Sequence, residues 1–199
     1  MPRIGAEPAR RRSLIDAALA TIGEHGSLDV SVKEIAGRAG MSPALAFHYF
    51  GDKDEIILQT MRHLLREFSS EVTARLRQAD SPRQRVEAII DASFSVSQFD
   101  RKTIAAWLVF YLHACSSPPA ARLFQVYARR LHSNLVDALR PLVGEESVIA
   151  AADTLGALID GLYVRHALRA DGPDAGEARR ICMACLDRHL SEHAVGGVQ

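Results

Sequence analysis

The sequence predicts an all-α chain of about nine helices: an N-terminal three-helix unit with a helix-turn-helix, then a longer helical ligand-binding and dimerisation domain. Three observations predict the helices. Apolar residues recur at helical spacing along almost the whole chain, capping residues with Gly or Pro punctuate the runs, and alternating strand patterns are scarce outside Leu28 to Val32.

The first helix is expected from Pro8, suited to the first helical position, to Gly26 just past the end, with Leu14, Ile15, Ala18, Leu19 and Ile22 on one face. Ser31-Val32-Lys33-Glu34 reads as a capping box that opens a two-turn second helix, stopped at Gly40. The third starts with Ser42 as N-cap and Pro43 behind it, and ends near His48 or Tyr49, ahead of Gly51. Asp52-Lys53-Asp54-Glu55 repeats the capping pattern and starts a long fourth helix towards Ala79. Further helices are expected at 82–98, 101–114, 119–140, 146–170 and 175–193, separated by Ser116-Ser117-Pro118-Pro119, Pro141 to Gly144 and Asp171-Gly172-Pro173. Short helices followed by long ones place a boundary near residue 55, giving domains 1–55 and 56–199.

Composition narrows the function classes. Lys plus Arg number 24 and Asp plus Glu number 24, so any nucleic-acid contact must rest on local charge. Three scattered cysteines make no disulfide framework and favour a reducing, cytoplasmic setting. The first residues lack the apolar stretch of a secretory signal, and the apolar run from Ile104 to Leu112 is too short to span a membrane.

Two short helices joined at Gly40-Met41-Ser42 match a helix-turn-helix over residues 31–50, whose second helix would enter the major groove of two-fold operator DNA. The candidate DNA-binding residues are Arg3, Arg10, Arg11, Arg12, Ser31, Val32, Lys33, Ser42, Pro43, Ala44, Leu45, Phe47, His48, Tyr49 and Lys53. Arg10, Arg11 and Arg12 crowd a helix N-terminus, where the macrodipole disfavours cations and a phosphate would compensate. Lys53 stands at another N-terminus, either as a phosphate clamp or paired with Asp54 or Glu55. The third helix carries few groups that could hydrogen-bond base edges: Ala44 suits a thymine methyl, His48 a base or phosphate, Tyr49 a phosphate, while Phe50 should pack inward.

Ser31 to Gly40, and above all Met41-Ser42-Pro43-Ala44-Leu45-Ala46-Phe47-His48-Tyr49-Phe50-Gly51-Asp52-Lys53, resemble the TetR family of regulators. The resemblance implies a nine-helix homodimer in which Tyr49 and Phe50 end the recognition helix and Lys53 contacts phosphate. It extends through Ala106-Trp107-Leu108, Ser133-Asn134-Leu135-Val136 and Ala157-Leu158-Ile159-Asp160-Gly161-Leu162, where it is similar to choline-responsive repressors of glycine betaine synthesis genes.

A quaternary ammonium cannot donate hydrogen bonds and is best held by aromatic faces with a carboxylate. Trp107, Phe110 and Tyr111 share one helical face, and Asp160 and Tyr163 share another, making these five the candidate effector residues for choline or betaine aldehyde. The plainer reading of each stripe is helix core, and of Asp160 an ion pair with an arginine. The eighth helix has a small-residue edge, Ala150, Thr154, Ala157 and Gly161, beside a bulky one; with the last helix it is expected to form an isologous four-helix dimer interface.

Cys182, Cys185 and His189 fall on or near an apolar face without a second ligand cluster, so no metal site is expected. A helical enzyme using His113, Cys115 or Asp160 is the rival class, but no phosphate loop, zinc-protease helix or nucleophile elbow occurs; no catalytic residue and no cofactor are expected. A helical scaffold without DNA binding is the third reading.

Overall fold

A computed structural model describes the backbone of residues 6–195 and the side chains of 7–191. Arg3 lies outside the described residues. Among them the chain forms nine helices: α1 (Ala6–His25), α2 (Val32–Arg38), α3 (Pro43–Phe50), α4 (Lys53–Leu76), α5 (Pro82–Ser93), α6 (Arg101–Ser116), α7 (Pro118–Val143), α8 (Val148–Ala167) and α9 (Ala175–Val195). The starts follow the capping chemistry: Ser31, Ser42 and Ser81 each accept the backbone N–H three residues on, and Asp52 Oδ1 accepts that of Glu55 at 2.7 Å.

By packing, the chain groups into two units, residues 1–66 with 101–124 and residues 67–100 with 125–199. The sequence cut at residue 55 leaves α6 in the second part, whereas the packing places it in the first, because α6 lies against α1. At that crossing Gly23 is indispensable: a Cβ there would stand 2.4 Å from the Lys102 carbonyl oxygen. The core of this unit gathers Leu14, Ile22, Ile35, Ile56, Met61 and Ile104, all at most 1% exposed.

In the second unit α9 packs against α5 and α8, around Ile89, Ile90, Leu155, Ile159, Cys182 and Leu186. Ion pairs Arg83–Asp187 (2.7 Å), Arg179–Asp91 (2.5 Å) and Arg85–Asp137 (2.6 Å) fasten α5 to α9 and α7 at the rim.

Several helix ends depart from the sequence expectation, three of them for reasons visible in the packing or the caps. α5 stops at Ser93, not 98, because Phe94 and Phe99 both turn inward; five residues apart on one helix they would diverge, but here their rings meet edge to face at 5.0 Å. The intervening Ser95 and Ser97 hydroxyls donate to Glu71 at 2.8 and 3.0 Å, which satisfies the bend. α7 runs through Pro141, which falls in its last turn where the missing N–H costs one bond, and ends at Gly144 with φ 75°. α8 ends at Ala167, three residues early, and His166 Nδ1 accepts the Asp174 N–H at 3.0 Å across the following loop.

Candidate DNA-binding and effector-binding sites

The turn between α2 and α3 is a Schellman motif: Met41 N–H donates to the Ala36 carbonyl (2.8 Å) and Gly40 N–H to that of Gly37 (3.1 Å), with Gly40 at φ 66°. The capping box of α2 is half formed. Ser31 Oγ accepts the Glu34 N–H, while the Glu34 carboxylate goes to His25 Nε2 (2.8 Å) on α1. Val32, Ile35 and Ala36 anchor α2 inward, and Ala46 and Phe50 anchor α3.

That anchoring fixes what α3 shows to the outside. Pro43, Ala44, Phe47 and His48 are exposed, with Ser42 ahead of them and Leu45 and Tyr49 half-buried; Ser31 and Lys33 are also exposed, while Val32 is buried. The outward face is thus apolar apart from His48 and the Tyr49 hydroxyl, suited to thymine methyls and poor in base-directed donors. Lys53, the first residue of α4, makes no ion pair or side-chain hydrogen bond among the described residues. Glu55 turns instead to Gln59 (2.6 Å) and Arg62 (3.3 Å).

The three arginines of α1 stand differently from one another. Arg10 is exposed and makes no ion pair among the described residues. Arg11 donates to Glu7 at 2.9 Å and lies over the Tyr49 and Phe50 rings, and Arg12 donates to Asp16 at 3.0 Å. A further group went unseen in the sequence. The Glu24 carboxylate accepts both Arg38 Nη atoms (2.5 and 2.8 Å) and Lys102 Nζ (2.6 Å), and these bonds, Arg38's first, hold its pKa down at about 2. The end of α1 is so tied to α2 and to α6. Neither Glu24 nor Gly23 carries a local pattern that would have revealed this.

The candidate effector residues divide between the two units. In the first, Trp107 and Phe110 are buried and Tyr111 half-buried on α6, with Trp107 and Tyr111 centroids 6.2 Å apart. Phe124 of α7 extends the row, 4.4 Å from Tyr111. Spacing along one helix could not find Phe124, because it comes from the next. In the second unit Tyr163 donates to the Ser93 carbonyl at 2.5 Å and meets Phe99 edge to face at 5.1 Å; Asp160 is half-buried one turn before it. Burial first, and after it smaller contributions from Tyr127, Asp160 and Glu71, pushes the Tyr163 hydroxyl well above its usual pKa, so it stays a neutral donor.

Between α8 and α9 runs a groove of about 510 Å³, lined by Ala157, Leu158, Gly161 and Ile181 with Arg165 and His166 among its polar residues. Ile149, Val164, Leu168 and Ile181 of these two helices and the residue after α8 are large apolar side chains left exposed. Cys182 is fully buried and its thiol is pushed up to about 12, chiefly by desolvation, so it behaves as a small apolar residue. No described helix is long and apolar enough to cross a membrane, and no described cluster of His, Cys, Asp or Glu could hold a metal.

Comparison with known proteins follows the same outline. Residues 14–60 match the family described as bacterial regulatory proteins, tetR family, and residues 82–191 match the BetI-type transcriptional repressor C-terminal family. The chain is 58% identical to the HTH-type transcriptional regulator BetI of Brucella anthropi, over 98% of this chain and 99% of that protein. It is 49% identical to BetI of Agrobacterium fabrum, over 85% and 82% of the two chains. A transcriptional regulator from Saccharomonospora viridis solved in complex with choline shares the fold with a TM-score of 0.81 at 20% identity, covering 90% of this chain and 96% of that one. A TetR transcription regulator from Haloarcula marismortui gives 0.80 at 19% identity, over 91% and 98%.

Proposed function

The chain belongs to the TetR family and is a DNA-binding transcriptional repressor of the BetI type rather than an enzyme, and from that premise we propose that it controls genes for choline uptake and glycine betaine synthesis, with choline or betaine aldehyde as effector. The observation that carries this is the 58% identity running through the C-terminal helices as well as the DNA-binding ones. The choline bound by the Saccharomonospora viridis neighbour is compatible with it.

The chemistry agrees. A methylated ammonium needs aromatic faces, and the Trp107, Tyr111 and Phe124 row of the first unit supplies them; Asp160 and Tyr163 of the second unit are a separate candidate pair. Family members typically bind operators as dimers. The exposed apolar residues of α8 and α9 are the surface assigned here to a second copy, in the cytoplasm where the operator lies. Ligand is taken to shift α4, which begins at Lys53, and a coupling of ~1–3 kcal/mol suffices for a 5- to 150-fold change in operator affinity.

Calorimetry with choline, betaine aldehyde and glycine betaine, paired with gel shifts on the DNA upstream of the chain's own gene, tests this reading. Specific binding lost on removing residues 1–55, and weakened by one of the three ligands, is the expected result. Equal operator affinity with and without every ligand at saturation would dismiss the effector assignment. A monomer in sedimentation at micromolar concentration would dismiss the dimer.

Lys53→Ala isolates the phosphate term. Each phosphate neutralised contributes about 0.9 to the slope of log affinity against log salt, so this variant is expected to flatten the slope by about one while keeping the order of preference among operator variants. An unchanged slope in a salt series removes Lys53 from the contacts.

A further inference from the structure

We infer that Arg11 is a positioning residue for the DNA-facing Tyr49 and not itself a phosphate ligand, so that the three adjacent arginines of α1 perform different tasks. The inference rests on the reading of α3 as the DNA-contacting helix. The Arg11 guanidinium carbon lies 5.5 Å from the Tyr49 ring centroid and 5.2 Å from that of Phe50, while Nε donates to Glu7 Oε1 at 2.9 Å. Phe50 is 7% exposed and fixed in the core. A planar cation held at its edge by a carboxylate and set over two successive rings ties Tyr49 to an immobile neighbour, and so sets the direction in which the Tyr49 hydroxyl points. The next ring outward, His48, lies 5.6 Å from Tyr49, tilted by 52°.

Electrostatics separates Arg11 from Arg10. Glu7 already neutralises Arg11, so DNA binding releases little additional counterion on its account. Arg10 is exposed and has no carboxylate partner among the described residues, which keeps its charge for DNA. Arg12 spends its Nε on both oxygens of Asp16 (3.0 and 3.3 Å), and Asp16 also stands 3.5 Å from His63 Nε2 on α4, which makes Arg12 part of the seam between α1 and α4.

The test is a salt series of operator titrations on the full-length dimer carrying Arg10→Ala, Arg11→Ala, Arg11→Lys, Tyr49→Phe and the double change Arg11→Ala with Tyr49→Phe, each checked for wild-type helix content. Arg11→Ala is expected to lower affinity roughly 2- to 30-fold, the range of one cation–π contact, with the salt slope unchanged. Arg11→Lys, which keeps the charge but loses the plane and the Nε edge, is expected not to restore it. Arg10→Ala is expected to flatten the slope by about one. In the Tyr49→Phe background the Arg11→Ala penalty should largely vanish, because the group being aimed is gone. A slope flattened by about one in Arg11→Ala, full rescue by lysine, or unchanged affinity would each overturn the inference. Tyr49→Phe alone reports separately: wild-type affinity there removes Tyr49 from the phosphate contacts, and with it the aim assigned to Arg11.

Discussion

Gly23→Ala is expected to lower the melting temperature by roughly 2–10 °C and to weaken operator binding with it. Propensity alone predicts the opposite, since alanine is favoured over glycine inside a helix by ~1 kcal/mol. The crossing with α6 decides the sign. The new methyl would stand 2.4 Å from the Lys102 carbonyl oxygen and 2.9 Å from its carbon, atoms of a helical backbone that cannot rotate aside. Relief requires α1 and α6 to part by about an ångström, and overpacking of this kind costs ~1–3 kcal/mol or more, enough to outweigh the propensity gain. Parting them also loosens the Glu24 bonds to Lys102 and Arg38, through which α2 is held. Gly37→Ala is the control: nothing lies within 4 Å of a Cβ there, so the same exchange in α2 should leave the melting temperature equal or raise it. Thermal unfolding of the two variants checks both signs, and a Gly23→Ala protein as stable as wild type would refute the tight crossing.

Trp107 carries the second large effect. At 2% exposure it is core whatever else it does, and Trp107→Ala is expected to cost ~3–5 kcal/mol and lower the melting temperature by ~6–20 °C. That loss would hide any effect on ligand, so function is read from Trp107→Leu and Trp107→Phe, which keep apolar bulk. Loss of one cation–π face, ~0.5–2 kcal/mol, predicts a 2- to 30-fold drop in choline affinity for the leucine variant and a smaller one for phenylalanine. Calorimetry on folded protein measures this directly. Wild-type choline affinity in Trp107→Leu would return Trp107 to a purely structural role.

The helix starts were legible because they are local. Ser31, Ser42, Ser81 and Asp52 each satisfy an N–H three residues away, and Gly26, Gly40 and Gly51 supply the positive φ that ends the early helices. Phe50 was placed inward by the same reasoning and is buried. What stayed hidden depends on partners far along the chain. Nothing near Gly23 announces Lys102, and Glu24 gives no sign of two cations 14 and 78 residues away. The early end of α5 is set by where Phe94 and Phe99 find each other and Tyr163, which periodicity within residues 82–98 cannot express. Which residues of α3 face outward follows from one buried pair, Ala46 and Phe50, which fixes the rotation of a two-turn helix. The aromatic row around Trp107 was legible only in part, since Phe124 comes from the next helix and shares no local pattern with Trp107.

The carboxylates that hold Arg11, Arg12 and Arg38 bear on how the repressor finds its target. Glu7, Asp16 and Glu24 cancel three cations on the helices that meet DNA, leaving Arg10, Lys33 and Lys53 without ion pairs among the described residues. Attraction to DNA of arbitrary sequence scales with the phosphates a protein can neutralise. With few uncommitted charges among the described residues of these helices, the protein is expected to bind DNA of arbitrary sequence weakly. Discrimination is then expected to rest on the shape and methyl pattern that the apolar outward face of α3 can read.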